Sequence, residues 1–573
     1  MTRQLTPVEV VRRSEPYRVP RAATPIDLSL DGNEGACPPA GLLEAVGQAD
    51  GEILRRYPGT DELVALLAEK VGVGSGEVVV TAGADDAIDR VCRAVLEPGK
   101  NMVIAVPTFE MIPRFAEICG AEVRRIDVGD EGYDLEALLD AVDESTALVV
   151  MISPNNPNGI AANESDMERL ASTCPQALVL IDHAYVEFGG DDFTAQAVDY
   201  PNVVVTRTLS KAWGLAGLRV GYAVANEEII RWLRTTGLPY PVSKPSQLLA
   251  SRWISEGGES VARFVEKVQE ERGRLQSLFD ELQIPRSASK ANFVFARVGD
   301  GLWWRDGMAG MGIGVRAFPG KEGLEDAIRI ACPGDGEHLE RVEHAIRTIA
   351  APEAILFDLD GVFADVSQSY RRAVIETVAH FGVTVTNDDI AAVKERGDAN
   401  NDWRVTQELL AERGVEISLE EVTERFELLY QGTDEEPGFR ADEKLLIDHQ
   451  FLEDLQSRGL KMGIVTGRPR RDCRRFLESR DIAEYFPVTV CMEDGPLKPD
   501  PAPVKSAMEQ LDVSTAWFVG DTPDDMRAGR GARVLPLGVI APGHEVDEMK
   551  RALFEAGAGR VLGNLSEILE VLR

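Results

Sequence analysis

The sequence predicts an α/β fold with a mostly parallel sheet, followed by a second α/β unit that carries a helical insert. Short apolar runs of strand length alternate with amphipathic segments of helix length along the 573 residues. The residues best suited to chemistry follow the apolar runs, where open α/β sheets bind their ligands. A proline-containing break near residue 351 separates two such patterns, so we expect two domains.

The first pattern occupies residues 1–350 and the second residues 353–573. Strand-like runs in the first are 78–80, 102–106, 148–152, 178–181 and 203–207, with helical spacing at 60–71 and 85–96. A further helix over 335–350 is ended by Ala351-Pro352. Strand-like runs in the second pattern are 354–358, 461–466, 487–491 and 516–520, and the insert is about 366–445.

Composition excludes several classes of protein. The net charge of −35 repels nucleic acid and anionic membrane surfaces, so neither is an expected partner. No apolar stretch reaches the roughly 18–20 residues that a membrane-spanning helix needs, and no apolar leader is visible after Met1. The seven cysteines are scattered and form no Cys-x-x-Cys pair, which is typical of a reduced, cytoplasmic protein.

The segment Thr206–Gly221 has the residues needed for lysine chemistry on an aldehyde. Lys211 is surrounded by small and hydroxyl residues and can form a Schiff base with pyridoxal phosphate. Three nearby side chains can hold the phosphate of that cofactor, namely Thr208, Ser210 and Arg219.

Three further segments complete this constellation. The turn at Ala84 and Asp85 follows a strand and opens a helix, where backbone N–H groups can bind phosphate. Asn156, in a Pro/Asn turn, offers an amide to the oxygen of the cofactor ring. Asp182 ends a buried strand, and its carboxylate can keep the pyridine nitrogen protonated so that the ring accepts electrons.

These motifs, in this order, resemble the fold-type I aminotransferases and, within them, the histidinol-phosphate aminotransferase family. Further matching motifs are Glu15-Pro-Tyr17, Gly32-Asn-Glu34, Arg56-Tyr-Pro58, Pro107-Thr-Phe-Glu110 and Pro239-Tyr-Pro241. The resemblance implies a large domain over about 41–239 and a small domain formed by 1–40 and 240–350. It also implies a homodimer and the use of glutamate and 2-oxoglutarate.

The resemblance also implies roles for individual residues. Phe109 would stack on the pyridine ring, where the family usually has Tyr, and Tyr57 would reach the cofactor phosphate of the other subunit. Tyr185 would be a further cofactor contact. Arg329 would bind the α-carboxylate of the amino donor, and Tyr17 and Arg316 would contact the phosphorylated substrate. One departure is His183, where the family usually has Glu.

The second pattern contains a candidate phosphoryl-transfer site. Asp358 and Asp360 follow a strand, so one carboxylate can attack phosphorus while the other handles the proton of the leaving oxygen. Thr466 ends a second strand, and Lys498 can neutralise phosphoryl charge. Asp521 ends a third strand, and Asp525 follows it; such oxygen ligands suit Mg²⁺.

This set resembles the haloacid-dehalogenase-like phosphohydrolases with a helical cap. The resemblance implies that Asp358 is the nucleophile, Asp360 the general acid/base, and that Thr466 and Lys498 bind phosphate. Mg²⁺ would be held by Asp358, the Asp360 carbonyl, Asp521 and Asp525. A polar run, 396–404, lies within the cap and is either a substrate contact or a solvated loop.

The combined pattern predicts a bifunctional enzyme. Imidazole acetol phosphate and glutamate would give histidinol phosphate at the first site, and the second would remove the phosphate. Three alternatives stay open. Both chemistries could act on another phosphorylated amino compound, the first domain could be a threonine-phosphate decarboxylase, or the C-terminal domain could be non-catalytic. A phosphomutase also shares the Asp358–Asp360 pair.

Overall fold

The structure is a computed structural model that describes residues 5–130, 132–395, 401–433 and 436–572. The chain forms two compact units. The first contains Met1–Pro20, Leu30–Gly301 and Arg316–Leu339, and the second contains Arg21–Ser29, Leu302–Val315 and Glu340–Arg573. The second unit thus takes in three segments that precede residue 351, and the domain boundaries given by the sequence pattern stay a prediction.

A seven-stranded sheet forms the centre of the first unit. Its order is Val78–Thr81, Gly221–Val224, Val203–Thr208, Leu178–Asp182, Thr146–Ile152, Asn101–Val106 and Glu122–Asp127. All neighbours run parallel except Gly221–Val224, which is antiparallel to the strand on each side. The five strand-like runs of the first pattern all lie in this sheet, so the predicted mostly parallel α/β fold is confirmed.

The central strands Leu178–Asp182 and Val203–Thr208 are buried at every residue, and they are mostly apolar because helices cover both faces of the sheet. One apolar cluster includes Val91, Ile104 and Val204, and the other includes Val149, Met167 and Val205. The α-helices that lie wholly in the first unit are Glu9–Arg13, Glu44–Gly47, Glu52–Arg55, Asp61–Val71, Ala84–Val95, Met111–Ile118, Leu135–Asp140, Glu164–Thr173, Glu227–Thr236, Lys244–Glu256 and Gly258–Glu281.

A small antiparallel sheet completes the first unit. It has the order Arg316–Ala317, Ala327–Ala331 and Phe293–Arg297. The register of its first two strands places Arg316 directly opposite Arg329. Helix Gly301–Gly310 and helix Gly336–Ala350 begin in the first unit along the chain and continue into the second. The second of these matches the predicted helix over 335–350, which ends before Pro352.

A six-stranded parallel sheet forms the centre of the second unit. Its order is Val488–Val490, Lys461–Val465, Ala354–Phe357, Ala516–Gly520, Leu535–Val539 and Arg560–Leu562. Its flanking helices are His449–Ser457, Arg470–Ser479, Ala502–Leu511, Pro523–Gly531, Val546–Ala556 and Glu567–Val571. Leu28–Ser29 also pairs with Ile313–Gly314 in a short parallel ribbon within this unit.

A helical insert interrupts the second unit after its first strand. Its helices are Tyr370–His380, Asn387–Glu395, Asp402–Glu412 and Leu419–Gln431. They enclose their own apolar cluster, which contains Val374, Leu409 and Phe426. The strands Ala364–Asp365 and Lys444–Leu445 pair at the entry and exit of the insert, which agrees with the insert expected at about 366–445.

The 3-10 helices are Ala40–Leu43, Ser75–Glu77, Val186–Phe188, Gln196–Asp199, Ala216–Leu218, Phe439–Asp442, Ala483–Tyr485 and Met492–Asp494. Across the described ranges, no helix combines the length and the apolar character that crossing a membrane requires.

Two candidate active sites

Lys211 lies in the loop that follows strand Val203–Thr208. Its Nζ donates a hydrogen bond to the Gly32 carbonyl at 3.0 Å and lies 5.6 Å from the centre of the Tyr185 ring. Thr208 and Ser210 are buried beside it, and the Thr208 hydroxyl donates to Ser210 Oγ at 2.8 Å. The amine is therefore held at the carboxyl end of the sheet, next to two hydroxyl groups.

Asp182 ends the neighbouring strand and is 5% exposed. Its Oδ1 accepts a hydrogen bond from Thr206 Oγ1 at 3.0 Å. Burial raises the pKa of this carboxyl group to about 6, against a smaller opposite effect of the Thr206 hydrogen bond. A buried carboxylate of this kind is stabilised by a cation beside it, such as a protonated pyridine nitrogen.

The candidate phosphate-binding residues lie at the start of helix Ala84–Val95. Arg219 Nη2 is 3.1 Å from Asp85 Oδ2, so the Arg219 guanidinium lies at this helix N-terminus. Gly221 pairs with both Thr81 and Thr208 across the sheet, and a Cβ at Gly221 would lie 2.4 Å from the carbonyl carbon of Gly83. The close approach of Gly221 to Gly83 places the N-terminus of helix Ala84–Val95 near Thr208, which pairs with Gly221.

Two arginines lie directly opposite each other in the small antiparallel sheet. Arg316 and Arg329 are 8% and 7% exposed. Arg329 Nη1 donates to Asn156 Oδ1 at 2.5 Å and its Nη2 to the Asp31 carbonyl at 2.6 Å. Burial lowers the pKa of Arg329, and the positive charge of Arg316 lowers it further. Arg316 Nη1 and Arg329 Nε have no hydrogen-bond acceptor among the described residues.

The remaining aromatic candidates are placed differently. Phe109 is partly buried against the core cluster of the large sheet. Tyr57 is 83% exposed and stacks on Tyr240 with 4.8 Å between ring centres. Tyr17 is 46% exposed, whereas the Tyr185 hydroxyl accepts from Asn33 Nδ2 at 3.1 Å. The ring-stacking, partner-subunit and substrate roles of these residues stay predictions.

His183 is a structural residue in this arrangement. The ring is fully buried, with Nδ1 2.7 Å from the Ser153 carbonyl and Nε2 accepting from the Phe193 N–H at 3.3 Å. Burial lowers its pKa to about 4, and Arg207 adds to that shift. A neutral imidazole with one proton on Nδ1 satisfies both contacts, which explains how His replaces the usual acidic residue.

The second site forms at the carboxyl ends of three adjacent parallel strands. Asp358 follows the central strand Ala354–Phe357, and Thr466 and Asp521 follow the strands on its two sides. Asp525 lies in the first turn of the helix that begins at Pro523. Carboxylate oxygens of Asp358, Asp521 and Asp525 all lie within 4.8 Å of one another, and all three residues are buried.

Lys498 offsets part of this negative charge. Its Nζ lies 2.9 Å from Asp358 Oδ1 and 2.5 Å from Asp525 Oδ1, and it also donates to the Val465 carbonyl at 3.2 Å. Burial raises the pKa of Asp358 to about 7, although Lys498 opposes that shift. Burial works against the charge on Lys498, but attraction to Asp358 and Asp525 outweighs it and raises its pKa.

Asp360 points to a different partner. Arg468 Nε donates to Asp360 Oδ1 at 2.6 Å, and the Arg468 backbone N–H donates to Thr466 Oγ1 at 3.2 Å. Arg468 and its second partner, Glu443, were not among the residues singled out from the sequence. Arg468 could have been found from its place two residues after Thr466, whereas no local pattern marks Glu443.

A cavity of about 110 Å³ lies over this second site. Asp358, Asp360 and Asp521 line it on the sheet side, and Tyr370 and Trp403 line it on the side of the insert. Of the polar run 396–404, Asn401, Asp402 and Trp403 line the cavity. Residues 396–400, five of the nine in that run, lie outside the described part of the chain.

The fold and the two sites define a chain that joins an aminotransferase-type module to a phosphohydrolase-type module. Residues 25–347 match the family described as aminotransferase class I and II, and residues 355–539 match the haloacid dehalogenase-like hydrolase family. The chain belongs to the aminotransferase class I and II family and carries a haloacid dehalogenase-like hydrolase domain behind it. Both families consist of enzymes, so the chain is an enzyme.

Individual relatives agree with this assignment. An aromatic amino acid aminotransferase of Thermobifida fusca is 35% identical over 56% of this chain and 92% of its own length. A histidinol-phosphate aminotransferase of Geobacillus sp. is 34% identical over 56% of this chain and 89% of its own. An imidazoleglycerol-phosphate dehydratase of Phytophthora nicotianae is 46% identical over 34% of this chain. The match covers 45% of that relative, so this chain spans less than half of its length.

Solved structures support the fold alone. The histidinol-phosphate aminotransferase of Sinorhizobium meliloti aligns with a TM-score of 0.53 at 22% identity, over 60% of this chain and 99% of its own. A second structure, described as a putative histidinol-phosphate aminotransferase from Erwinia carotovora atroseptica, aligns with a TM-score of 0.51 at 24% identity. This alignment covers 58% of this chain and 97% of the other. The predicted fold-type I resemblance is confirmed at this level.

The donor sets of the two sites fit the cofactors that the two families imply. Asp182 offers a buried carboxylate at the end of one strand, and Lys211 offers an amine in the loop after the neighbouring strand, as pyridoxal phosphate requires. Three buried carboxylates at the second site offer the oxygen ligands that Mg²⁺ prefers.

Proposed function

We propose that the chain is a bifunctional enzyme. Its first site transfers an amino group from glutamate to imidazole acetol phosphate, which yields histidinol phosphate. Its second site hydrolyses histidinol phosphate to histidinol and inorganic phosphate. The observation that carries the first activity is the opposed pair of buried arginines, Arg316 and Arg329.

Two guanidinium groups buried side by side repel each other and need anions. Directly opposed like charges destabilise a pair of strands, and a buried unpaired donor is costly. Both costs are offset when anionic groups bind Arg316 Nη1 and Arg329 Nε. Glutamate offers a carboxylate to Arg329, and imidazole acetol phosphate offers a phosphate to Arg316. Tyr17 would be a further contact to the phosphorylated substrate.

The other residues of the first site would hold pyridoxal phosphate. This cofactor supplies an aldehyde that accepts the amino group and a ring that withdraws electrons. Lys211 would anchor the aldehyde and then move the proton between the substrate carbon and the cofactor, while Asp182 keeps the pyridine nitrogen protonated. The residues that would position the ring and phosphate are Asn156, Tyr185, Phe109, Thr208, Ser210, Arg219, Ala84, Asp85 and, from the second subunit, Tyr57.

In the second site, Asp358 would attack phosphorus and form an aspartyl phosphate as the bond to the ester oxygen breaks. Asp360 would give its proton to that oxygen and then take one from the water that releases phosphate. Thr466 and Lys498 would bind the phosphoryl oxygens. Mg²⁺ would be held by Asp358, the Asp360 carbonyl, Asp521 and Asp525.

The names of the relatives support the choice of substrates. A histidinol-phosphate aminotransferase and an imidazoleglycerol-phosphate dehydratase are both similar to parts of this chain. Both names refer to phosphorylated imidazole compounds of histidine biosynthesis. The product of the proposed first reaction is also a phosphomonoester, which is the substrate class of the proposed second reaction.

A second candidate activity is transamination of aromatic amino acids. It is favoured by the similarity to the aromatic amino acid aminotransferase of Thermobifida fusca. An aromatic amino acid has one carboxylate and no phosphate, so it would bring no anionic group to Arg316 Nη1. Comparing phenylpyruvate with imidazole acetol phosphate as amino acceptor separates the two candidates.

We further propose the domain organisation and assembly. The aminotransferase domain would be residues 1–350, with a large domain over about 41–239, and the phosphatase domain would be 353–573. A cytoplasmic homodimer would form through the first domain. Exposed apolar side chains support that contact, since Leu43, Leu54, Tyr57 and Leu238 are each at least 67% exposed.

The test is to follow both products in one mixture. The purified chain, supplied with pyridoxal phosphate, Mg²⁺, glutamate and imidazole acetol phosphate, should release histidinol and inorganic phosphate. Asp358→Asn should stop the same mixture at histidinol phosphate, because an amide is a poor nucleophile. EDTA should have the same effect. Failure of the wild type to aminate imidazole acetol phosphate would rule out the proposed substrate.

A further inference from the structure

The guanidinium group of Arg468 connects the proposed general acid to the helical insert. Its Nε donates to Asp360 Oδ1 at 2.6 Å, and its Nη1 donates to Glu443 Oε2 at 3.0 Å. The side chain of Arg468 is 1% exposed and that of Glu443 is 3% exposed. The Arg468–Glu443 contact is therefore shielded from water, where charged hydrogen bonds are strongest, whereas the Asp360 side chain is 31% exposed towards the cavity that it lines.

Glu443 joins the entry and the exit of the insert. It directly precedes strand Lys444–Leu445, which pairs with Ala364–Asp365 at the entry. Its Oε1 accepts hydrogen bonds from the Ser369 hydroxyl at 2.8 Å and the Tyr430 hydroxyl at 3.0 Å. Ser369 stands at the start of the first helix of the insert and Tyr430 near the end of the last one. Movement of either helix therefore acts on the Glu443 carboxylate.

Aromatic rings hold the guanidinium plane of Arg468 in place. Its central carbon lies 5.0 Å from the centre of the Tyr370 ring and 5.3 Å from that of Phe476. A planar guanidinium group with five donors can reach two carboxylates in different directions, whereas a lysine ammonium is a single point charge. The position therefore requires arginine specifically.

We propose that Arg468 is a positioning residue that couples the closed insert to Asp360, with Glu443 as the group that senses the insert. While Glu443 holds one edge of the guanidinium group, Nε fixes the Asp360 carboxylate in one orientation. Once the insert moves away, Arg468 loses a partner and Asp360 loses that orientation. Proton transfer by Asp360 is thereby restricted to the state in which the cavity is closed, which limits access of bulk water. This inference rests on the proposed phosphatase activity.

The first experiment separates turnover from binding. Arg468→Lys and Glu443→Gln should each lower kcat for phosphate release from histidinol phosphate by about 10- to 100-fold, since a small misplacement of a reacting group costs that much. KM and the inhibition constant for inorganic phosphate should change less than about threefold, because Thr466 and Lys498 are untouched. The aminotransferase rate of the same chain should not change.

Arg480→Lys is the matched control. Arg480 also contacts Glu443, through a hydrogen bond from its Nη2 to the backbone carbonyl, but within the described residues it makes no hydrogen bond to Asp360. Its kcat should stay within about twofold of the wild type. Loss of turnover in Arg480→Lys equal to that in Arg468→Lys would show a structural role only, and would overturn the inference.

Chemical rescue and a double variant complete the test. Millimolar guanidinium ion should restore part of the kcat of Arg468→Ala and should not raise that of Asp358→Asn. Arg468→Lys/Glu443→Gln should lose no more turnover than Arg468→Lys, because both changes break one connection. Additive losses would contradict the coupling. If Arg468→Lys does not fold, the kcat of Glu443→Gln decides, and a value within twofold of the wild type overturns the inference.

The outcomes also distinguish the inference from the function on which it rests. A wild-type chain that releases phosphate, with Arg468→Lys and Glu443→Gln equally active, contradicts the coupling and leaves the phosphatase proposal standing. A wild-type chain that releases no phosphate from histidinol phosphate or from simple phosphomonoesters contradicts the phosphatase proposal itself.

Discussion

Arg316 and Arg329 face each other across two antiparallel strands, and each has one guanidinium nitrogen without an acceptor in the described part of the chain. The other nitrogens of Arg329 are held by Asn156 and by the Asp31 carbonyl. Arg316 lies 4.0 Å from Glu110, which in turn pairs with Lys321 at 2.5 Å. The two arginines are thus fixed differently, and we expect them to recognise different anions.

The first prediction separates these two roles. Arg316→Ala should weaken binding of imidazole acetol phosphate by roughly 10- to 150-fold, the effect of losing a charged hydrogen bond, and should affect glutamate far less. Arg329→Ala should weaken both. Half-reaction kinetics with each substrate alone give the two affinities. Equal, small effects of Arg316→Ala on both substrates would contradict its assignment to phosphate.

The second prediction concerns the lysine. The purified chain loaded with pyridoxal phosphate should be yellow, and Lys211→Ala should lose the absorbance band of the lysine-bound cofactor together with transamination. Phosphate release from histidinol phosphate should continue, because Lys211 takes no part in the proposed second reaction. Lys244→Ala is the control, since Lys244 pairs with Glu62 at 2.9 Å on the surface. An unchanged spectrum in Lys211→Ala would refute the assignment.

The positions of many candidate site residues could be predicted, because these residues lie at the ends of strands. Asp182, Asp358, Thr466 and Asp521 each end or follow an apolar run of strand length, and parallel strands bring such residues to one edge. Local sequence therefore contained both the fold class and these positions. The order of the strands across each sheet was not contained in any local pattern.

Arg468 and Glu443 show what such a pattern omits. Glu443 follows a short 3-10 helix, Phe439–Asp442, and nothing in its neighbours indicates that its carboxylate is buried. Its burial depends on Ser369, Tyr430 and Arg468, which are distant in sequence. The packing of segments 21–29, 302–315 and 340–350 into the second unit likewise depends on tertiary contacts between positions far apart in the chain.

The third prediction concerns Asp182 and pH. Its pKa in the folded chain is about 6, above the ordinary value of 3.8. The folded state without cofactor therefore holds this proton more tightly than the unfolded state. The stability that the proton contributes is complete below about pH 4 and is lost as pH rises through 6.

Asp182→Asn removes this dependence. At pH 8 the cofactor-free variant should be more stable than the wild type by up to about 3 kcal/mol, which corresponds to the two-unit pKa difference. The amide can still accept the Thr206 hydrogen bond, but it should bind pyridoxal phosphate more weakly. Urea unfolding of both cofactor-free proteins at pH 5 and pH 8 tests this. A stability difference that is the same at both pH values would contradict the raised pKa.

The last prediction concerns the packing of the second unit. Trp517, on the strand that leads to Asp521, is fully buried, and its Nε1 donates to the Thr348 carbonyl at 2.7 Å. Trp303 packs edge-on against it with 5.3 Å between ring centres and is 4% exposed. Residues 303 and 348 precede the junction at 351, so segments from the N-terminal part of the chain complete the core around this strand.

Trp303→Ala should therefore lower the stability of the second unit by about 3–5 kcal/mol, the usual cost of emptying a buried aromatic site. Phosphate release should be lost on heating at a lower temperature than in the wild type, because the strand before Asp521 loses its support. Trp232→Ala, at a tryptophan that is 36% exposed in the first unit, is the control and should leave the inactivation temperature of the phosphatase unchanged. An unaltered inactivation temperature in Trp303→Ala would show that strand Ala516–Gly520 is held without these segments, and that residues 353–573 are sufficient for its core.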